Sequence, residues 1–330
     1  MSSYLVTGAA GFIGSHLCAE LQEQGARVRG IDAFTDYYAR NLKEENLACA
    51  RDGGQLEFVE DDLASADLDS VLDGVDGVFH LAAQPGVRAS WGREFEIYLR
   101  DNLLVTQRIF QACASRGIRV VYASSSSIYG DAETYPTTED VVPRPISPYG
   151  ITKLGCEHLA RSFGRAAGVD AVGLRYFTVF GPRQRPDMAF TRLARAAVLG
   201  ETFSLLGDGR QSRDFTFVMD AVSATIGAMR HGRAGVNYNV GGGAETSLRE
   251  VIELLEDLSG HQITIRWQER VAGDVFRTAS DTTAIRRDVG WTPTTSIRAG
   301  LAAQLHWIEA TSRRDGDDVA VSGATPVHQR

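Results

Sequence analysis

Tyr149 and Lys153 stand four residues apart in the run Ser147-Pro148-Tyr149-Gly150-Ile151-Thr152-Lys153. The run reads as the start of a helix, and side chains at i and i+4 share one helical face. A phenol held beside an ammonium gives up its proton more readily, because the positive charge favours phenolate. Such a pair can serve as general base and general acid near neutral pH. Surface helices also carry Tyr-x-x-x-Lys by chance, so the elements that position the pair decide its meaning.

The N-terminus supplies those elements. Residues 4–7 read as a buried strand, and Gly8, Gly11 and Gly14 follow at once. Ile13, Leu17 and Leu21 then repeat at i+4 and predict an amphipathic helix that ends at Gly25. A second strand, Val28 to Ile31, leads into Asp32, 18 residues past Gly14. Gly8 permits a tight turn, Gly11 a close approach to a pyrophosphate, and Gly14 close packing of helix on strand. The helix start at Phe12 and Ile13 offers unpaired N–H groups and a partial positive charge to phosphates. Asp32 can accept from adenosine ribose hydroxyls and would repel a 2′-phosphate. The chain carries no Arg or Lys between Asp32 and Arg40, so the expected cofactor is NAD rather than NADP.

Further apolar runs at 56–59, 78–82, 120–123 and 171–176 alternate with helical segments, among them about 101–116 and 149–166. This alternation predicts an α/β, Rossmann-type, doubly wound parallel sheet. Ligands bind such sheets at the carboxyl ends of strands, where the remaining candidates cluster. Asp61 and Leu63 follow one strand and are placed to touch adenine. Leu81, Ala82, Ala83 and Gln84 follow another, with small residues where a cofactor can pass. Ser124 to Ser127 follow a third. Beyond residue 180 the alternation loosens, with turns at Gly207-Asp208-Gly209 and Gly241-Gly242-Gly243 and helices expected near 188–199, 215–230 and 247–258. The expected organisation is a cofactor domain over 1–180, a smaller C-terminal substrate lobe over 181–311 with some chain crossing between them, and a disordered tail over 312–330.

Composition narrows the function classes. The chain has 330 residues, 43% hydrophobic and 23% charged, as in a soluble globular protein. No apolar run reaches the roughly 18 residues of a membrane span. The N-terminus enters a strand directly and leaves no room for a signal peptide. Cys18, Cys49, Cys113 and Cys156 lack metal-like spacing and read as reduced thiols of a cytoplasmic protein. His80, at a strand end, reads as packed rather than ligating, and no metal is expected. The net charge of −8 argues against a nucleic-acid partner. Against that background Arg175, Arg183, Arg185, Arg192 and Arg195, with Asp187 the only acid among them, suggest an anionic ligand such as a nucleotide diphosphate.

Taken together, the spaced glycines, Asp32, the serine run and the Tyr149/Lys153 pair resemble the extended short-chain dehydrogenase/reductase family over about residues 3–310. Several stretches resemble its UDP-glucuronate 4-epimerases: Asp36-Tyr37-Tyr38 with Leu42-Lys43, Leu81 to Arg88, Tyr122 to Gly130, Arg175 to Pro182, Arg185-Pro186-Asp187-Met188, Arg213 to Thr216 and Gly273-Asp274-Val275. Many sugar-nucleotide epimerases carry Asn at the place of Thr178, whereas the glucuronate enzymes carry Thr there. The Asp-Glu pair of dehydratases and the Glu of decarboxylases are both absent from the serine loop. Pro85 and Trp91 depart from the commoner epimerase pattern.

The resemblance implies an NAD-dependent isomerase acting on a UDP-sugar, most readily UDP-glucuronate. Tyr149 takes the proton from the sugar's 4-hydroxyl, Ser125 bonds the same oxygen, and Lys153 holds the ribose. Tyr176 joins the cofactor residues. Ser126, Ser127 and Thr178 hold the sugar carboxylate out of alignment with a 4-ketone and so oppose loss of carbon dioxide. Arg185, Arg213 and Asp274 hold the nucleotide, with Arg88 near the sugar or diphosphate. A homodimer through the helices near 101–116 and 149–166 is also implied. The rival readings are a 4-epimerase of neutral UDP-hexoses, a ketoreductase, a decarboxylase, and a non-catalytic NAD sensor, the last at odds with a complete Ser-Tyr-Lys set.

Overall fold

The computed structural model describes residues 1–52, 54–269 and 275–322. The first half is built from β1 (Ser3–Thr7), α1 (Phe12–Glu23), β2 (Arg27–Asp32), α2 (Arg40–Arg51), β3 (Leu56–Glu60), α3 (Leu68–Val71), β4 (Gly77–His80), α4 (Phe95–Tyr98), α5 (Val105–Ala114) and β5 (Arg119–Ser125). The chain continues as α6 (Pro148–Ala167), β6 (Ala171–Tyr176), β7 (Thr178–Phe180), α7 (Ala189–Leu199), β8 (Phe203–Leu206), β9 (Ser212–Phe217), α8 (Val218–His231) and β10 (Asn237–Val240). It closes with β11 (Glu245–Ser247), α9 (Leu248–Ser259), β12 (Ile265–Gln268), α10 (Thr283–Val289) and α11 (Ile297–Ser322).

Seven strands form one sheet in the order β10-β6-β5-β4-β1-β2-β3. Every pairing in it is parallel. The order reverses direction between β1 and β4, which opens a crevice at their carboxyl ends. Two apolar cores flank the sheet, one centred on α1 and α8 and the other on α5 and α6. The α/β Rossmann-type expectation therefore holds, strand by strand.

The second half does not stay in its own lobe. β10 pairs with β6, and α8 packs against the sheet with Val218, Ala221, Val222 and Met229 in the first core. Chain beyond residue 180 thus completes the dinucleotide layer, because two faces of an all-parallel sheet must both be covered. The remaining lobe has a separate core of α7, α9, α11 and β8 around Phe190, Leu193, Leu205, Val251, Leu255 and Leu301. The chain passes between the two at Tyr176–Thr178, where β6 ends and β7 begins a three-stranded sheet with β9 and β11. The helix expected from 215 begins at Val218, since Phe215 to Phe217 pair with β7. The boundary expected at 312 falls inside α11, which runs to Ser322.

The long helix expected near 101–116 is instead a composite. α4 passes into a π-helical turn over Leu99–Leu104 before α5 begins. Such turns are rare and occur frequently at functional sites. Here the turn carries Asn102, whose side chain accepts from the Gln84 N–H at 2.8 Å and donates to the Gln84 carbonyl at 3.2 Å and to Thr152 Oγ1 at 3.0 Å. One carboxamide thereby ties the loop after β4 to the first turns of α6.

Candidate active site

A cavity of about 420 Å³ runs along the carboxyl ends of β1, β2, β4, β5 and β6. At one end lies the glycine turn. Gly8 adopts φ +71°, and a Cβ on it would sit 2.9 Å from the Ala82 nitrogen. A Cβ on Gly14 would overlap the Gly8 carbonyl oxygen. These two positions let α1 and the loop after β4 close on the turn. Gly11 is the N-cap of α1, with no side-chain cap and no acid in the first turn. The N–H groups of Phe12, Ile13 and Gly14 therefore form an uncapped, electropositive cradle suited to a pyrophosphate.

Asp32 closes the adenosine side. Its carboxylate accepts from the Phe34 N–H at 2.9 Å and the Ala10 N–H at 3.1 Å. Burial pushes its carboxyl above the ordinary value, opposed by those N–H groups and by the Lys43 charge. Lys43 is the cation that sequence distance concealed. The turn before α2 folds it back into the cavity, where its Nζ donates to the Thr35 carbonyl at 2.5 Å. Arg40, the nearest cation in the sequence, points away and pairs with Glu44 and Glu60.

The middle of the cavity is organised by a directed chain behind it. Thr7 Oγ1 accepts from the N–H groups of Leu81 and Ala82 at 3.1 and 3.0 Å. Its own proton is then left for His80 Nδ1 at 2.9 Å, so His80 Nε2 donates to Thr106 Oγ1 at 3.1 Å. His80 is a packed strand-end residue, as expected. Burial pushes its pKa down to about 3, as it does for His16 on α1. A histidine depressed from 6.5 stabilises the fold above pH 6.5, and that contribution is lost as pH falls toward 3, because only the unfolded chain takes up the proton. Each group adds a slope of up to about 1.4 kcal/mol per pH unit. A His80→Asn variant is expected to be flatter than wild type in urea midpoint against pH between about 6 and 4. Parallel acid limbs would remove His80 from the acid sensitivity.

The catalytic end is held by α6. Ser147 caps the helix by accepting from the Gly150 N–H at 3.1 Å, and Pro148 occupies its first turn. Lys153 Nζ donates to the Ala123 carbonyl of β5 at 3.0 Å. The Tyr149 ring packs edge-on against Tyr98, with centroids 6.3 Å apart. Tyr98 in turn donates to the carbonyls of Pro85 and Gly86 at 2.9 and 2.8 Å. Ser125 Oγ accepts from the Ser127 N–H at 3.1 Å, which turns Ser126 and Ser127 into the cavity.

The structure brings together Gly8, Gly11, Phe12, Ile13, Gly14, Asp32, Asp61, Leu63, Leu81, Ala82, Ala83, Gln84, Ser125, Ser126, Ser127, Tyr149, Lys153, Tyr176, Thr178 and Arg185 around this one cavity. Arg88 and Arg213 are not among its described lining residues. Arg213 donates to the carbonyls of Ser212 and Phe276 at 2.9 Å each and braces the lobe. Asp274 lies outside the described residues. The basic stretch resolves unevenly. Arg185 lines the cavity, bound to Asp187 through two contacts of 3.0 Å. Arg175 is a buried partner of Glu157, Arg195 pairs with Glu201, and Arg192 lies over the Phe203 ring. Arg175 and Arg195 are thus committed to carboxylates of the chain itself and Arg192 to a ring, rather than to an anionic ligand. Lining residues to which the sequence reading gave no site role include Thr35, Lys43, Asp101 and Met188; Lys43 comes from α2 and Asp101 from the π turn.

Among the described residues no cluster of His, Cys, Asp or Glu is placed to hold a metal, and no helix is long and apolar enough to cross a membrane. A parallel sheet with an uncapped helix start, an acid after β2, and Ser, Tyr and Lys converging on one cleft defines a dinucleotide-dependent enzyme of the extended short-chain dehydrogenase/reductase type. Residues 4–241 match the model of the NAD dependent epimerase/dehydratase family, and the chain belongs to that family. An uncharacterized UDP-glucose epimerase of Bacillus subtilis strain 168, YtcB, is 40% identical over 93% of this chain and 98% of its own length. A UDP-glucuronate 4-epimerase of Thermodesulfobacterium geofontis is 34% identical over 93% of this chain and 96% of its own. The crystal structure of a UDP-glucuronic acid 4-epimerase from Bacillus cereus, in complex with UDP-glucuronic acid and NAD, superposes with a TM-score of 0.90 at 38% identity, over 94% of this chain and 99% of that one.

Proposed function

We propose that this enzyme interconverts UDP-glucuronate and UDP-galacturonate by inverting carbon 4, with NAD held throughout the cycle. The observation that carries this reading is the continuity of one cavity from the glycine cradle, past Tyr149 and Lys153, to the hydroxyls of Ser126, Ser127 and Thr178 and the guanidinium of Arg185. The likeness to the B. cereus enzyme, solved with UDP-glucuronic acid and NAD, supports it. NAD, when bound, supplies the oxidant that makes carbon 4 a ketone and the reductant that restores it.

The chain's own residues do the rest. The cradle at Phe12 to Gly14 and the Asp32 carboxylate bind the dinucleotide's phosphates and ribose. Lys153, anchored on β5, holds the cofactor ribose on the same helical face as Tyr149. Tyr149 takes the proton of the 4-hydroxyl and returns one to the same oxygen. Ser125 shares that proton. Ser126, Ser127 and Thr178 supply neutral donors for a sugar carboxylate, and no Asp or Glu stands in the serine loop to assist its loss. Arg185 takes the anionic part of the substrate, Arg213 and Asp274 serve the nucleotide from the lobe over 181–311, and Arg88, in the loop after β4, serves the sugar or diphosphate. That lobe closes the substrate side of the cavity.

Apolar side chains remain exposed on the helices near the π turn and on α6: Ile97, Leu99, Leu104 and Ile151. They support a homodimer packed through these helices. All four cysteines are free, in keeping with a cytoplasmic setting.

A second reading, a neutral UDP-hexose as substrate, is favoured by one contact. Asp187 already neutralises Arg185. Incubation of the purified enzyme with UDP-glucuronate, analysed by NMR and mass, decides between them. An isomer of unchanged mass without net NADH is expected, and Thr178→Ala is expected to release several-fold more UDP-pentose than wild type. Interconversion of UDP-glucose and UDP-galactose alone would establish the second reading.

A further inference from the structure

We propose that Glu157 is a positioning residue for proton transfer at Tyr149, its buried carboxylate locking the serine end of β5 to the helix that carries the tyrosine. Tyr149, Lys153 and Glu157 repeat at i, i+4 and i+8 along α6 and share one face. The first two point at the cavity. Glu157 lies one turn deeper, with only 5% of its side chain exposed.

Four donors converge on that carboxylate. Ser124 Oγ donates at 2.5 Å, Arg175 Nε and Nη2 at 2.9 and 2.8 Å, and Asn237 Nδ2 at 3.1 Å. Ser124 immediately precedes Ser125, and Arg175 immediately precedes Tyr176. The hub therefore grips the backbone of two site residues from behind. It also reaches the far side of the serine turn. Arg175 Nη1 donates to Tyr129 Oη at 2.7 Å, and Tyr129 Oη donates to Asn239 Oδ1 of β10 at 2.7 Å. Both ends of the loop that presents Ser125 to Ser127 are thus tied to one acid on the catalytic helix.

A purely structural role explains this poorly. A buried ion pair is seldom more stable than well-packed apolar residues of the same volume, because both charges lose water. Nor does an ion pair between α6 and β6 require Ser124. What the arrangement does supply is a fixed offset between the Ser125 hydroxyl and the Tyr149 phenol, the two groups that must meet one substrate oxygen. Displacements of about 1 Å at such a site can cost about 100-fold in rate.

The inference rests on the 4-epimerase reading for its kinetic test, so a second readout is independent of turnover. Ser124→Ala cuts the link and leaves the ion pair intact. It is expected to lower kcat about 10-fold with KM and NAD content unchanged and only the small Tm loss of one buried hydrogen bond, and to move the kcat–pH profile to higher pH, because the Ser125 hydroxyl no longer keeps its fixed offset from the phenol. Ultraviolet titration, taken as the difference from the matching Tyr149→Phe protein, is expected to show the same upward move without substrate. The paired variant Glu157→Leu with Arg175→Met is expected to recover the Tm lost in Glu157→Leu alone, but not its kcat. Should Ser124→Ala keep wild-type kcat and titration, or should the paired variant regain kcat along with Tm, Glu157 is a structural partner only. If wild type fails to turn over UDP-glucuronate, the function reading falls, and the phenol titration still decides the positioning role.

Discussion

Tyr149→Phe is expected to lower kcat by about 10²- to 10⁴-fold, the range over which a positioned acid–base group acts. NAD content and folded stability are expected to stay at wild-type values. The separation follows from how the side chain is held. Its ring contributes the edge-on contact with Tyr98, which phenylalanine retains. The α6 start is set by Ser147 and Pro148, and Lys153 is anchored independently on the Ala123 carbonyl. Only the hydroxyl is lost, and it faces the cavity. The KM for the UDP-sugar should change little, since the nucleotide end is gripped elsewhere. Product formation by NMR, urea midpoint and bound-NAD stoichiometry check the three parts together. A variant that kept most of its kcat would remove Tyr149 from proton transfer; the hydroxyls of Tyr98 and Tyr176 are committed to backbone carbonyls and to Thr225.

Much of this site was legible because dinucleotide binding constrains short, contiguous sequence. Gly8, Gly11, Gly14 and Asp32 each answer a backbone or ribose requirement within one β-α-β unit, so their spacing survives as a pattern. The six strands from β1 to β6 were visible as apolar runs for the same reason: a strand covered on both faces has few polar positions. Legibility failed where position depends on tertiary return. β10 is four residues long and reaches the sheet only after the chain has built much of the lobe. α2, with the sequence Arg-Asn-Leu-Lys-Glu-Glu-Asn-Leu-Ala-Cys-Ala-Arg, is largely polar and gives little apolar period, yet it delivers Lys43 to the adenosine side. Arg175 misled for a different reason. Its charge suggested an anionic ligand, while its neutralising partner is a helix residue whose burial no local pattern announces.

Gly150→Ala is expected to damage the enzyme more than its size suggests, and it tests whether the serine loop and α6 work at contact distance. Gly150 follows Tyr149 directly. A Cβ there would lie 2.6 Å from the Ser127 carbonyl oxygen and 3.0 Å from Pro145 Cβ. Neither neighbour can yield freely. The Ser127 N–H is bonded to Ser125 Oγ, and Gly150's own N–H is the one that Ser147 caps. The added methyl must therefore push the serine loop away from the helix start. Overpacking of this kind costs about 1–3 kcal/mol, against a gain of up to about 1 kcal/mol from replacing glycine in a helix. The stability change should thus be modest, while kcat should fall about 100-fold if transfer depends on the loop's offset from Tyr149. NAD content should be retained, because the glycine cradle lies at the other end of the cavity. Kinetics and urea titration on the same preparation check this. A loss of stability with undiminished kcat would mean that the loop adjusts without cost to the chemistry, and that Ser125 reaches its oxygen by induced fit rather than from a prepared position.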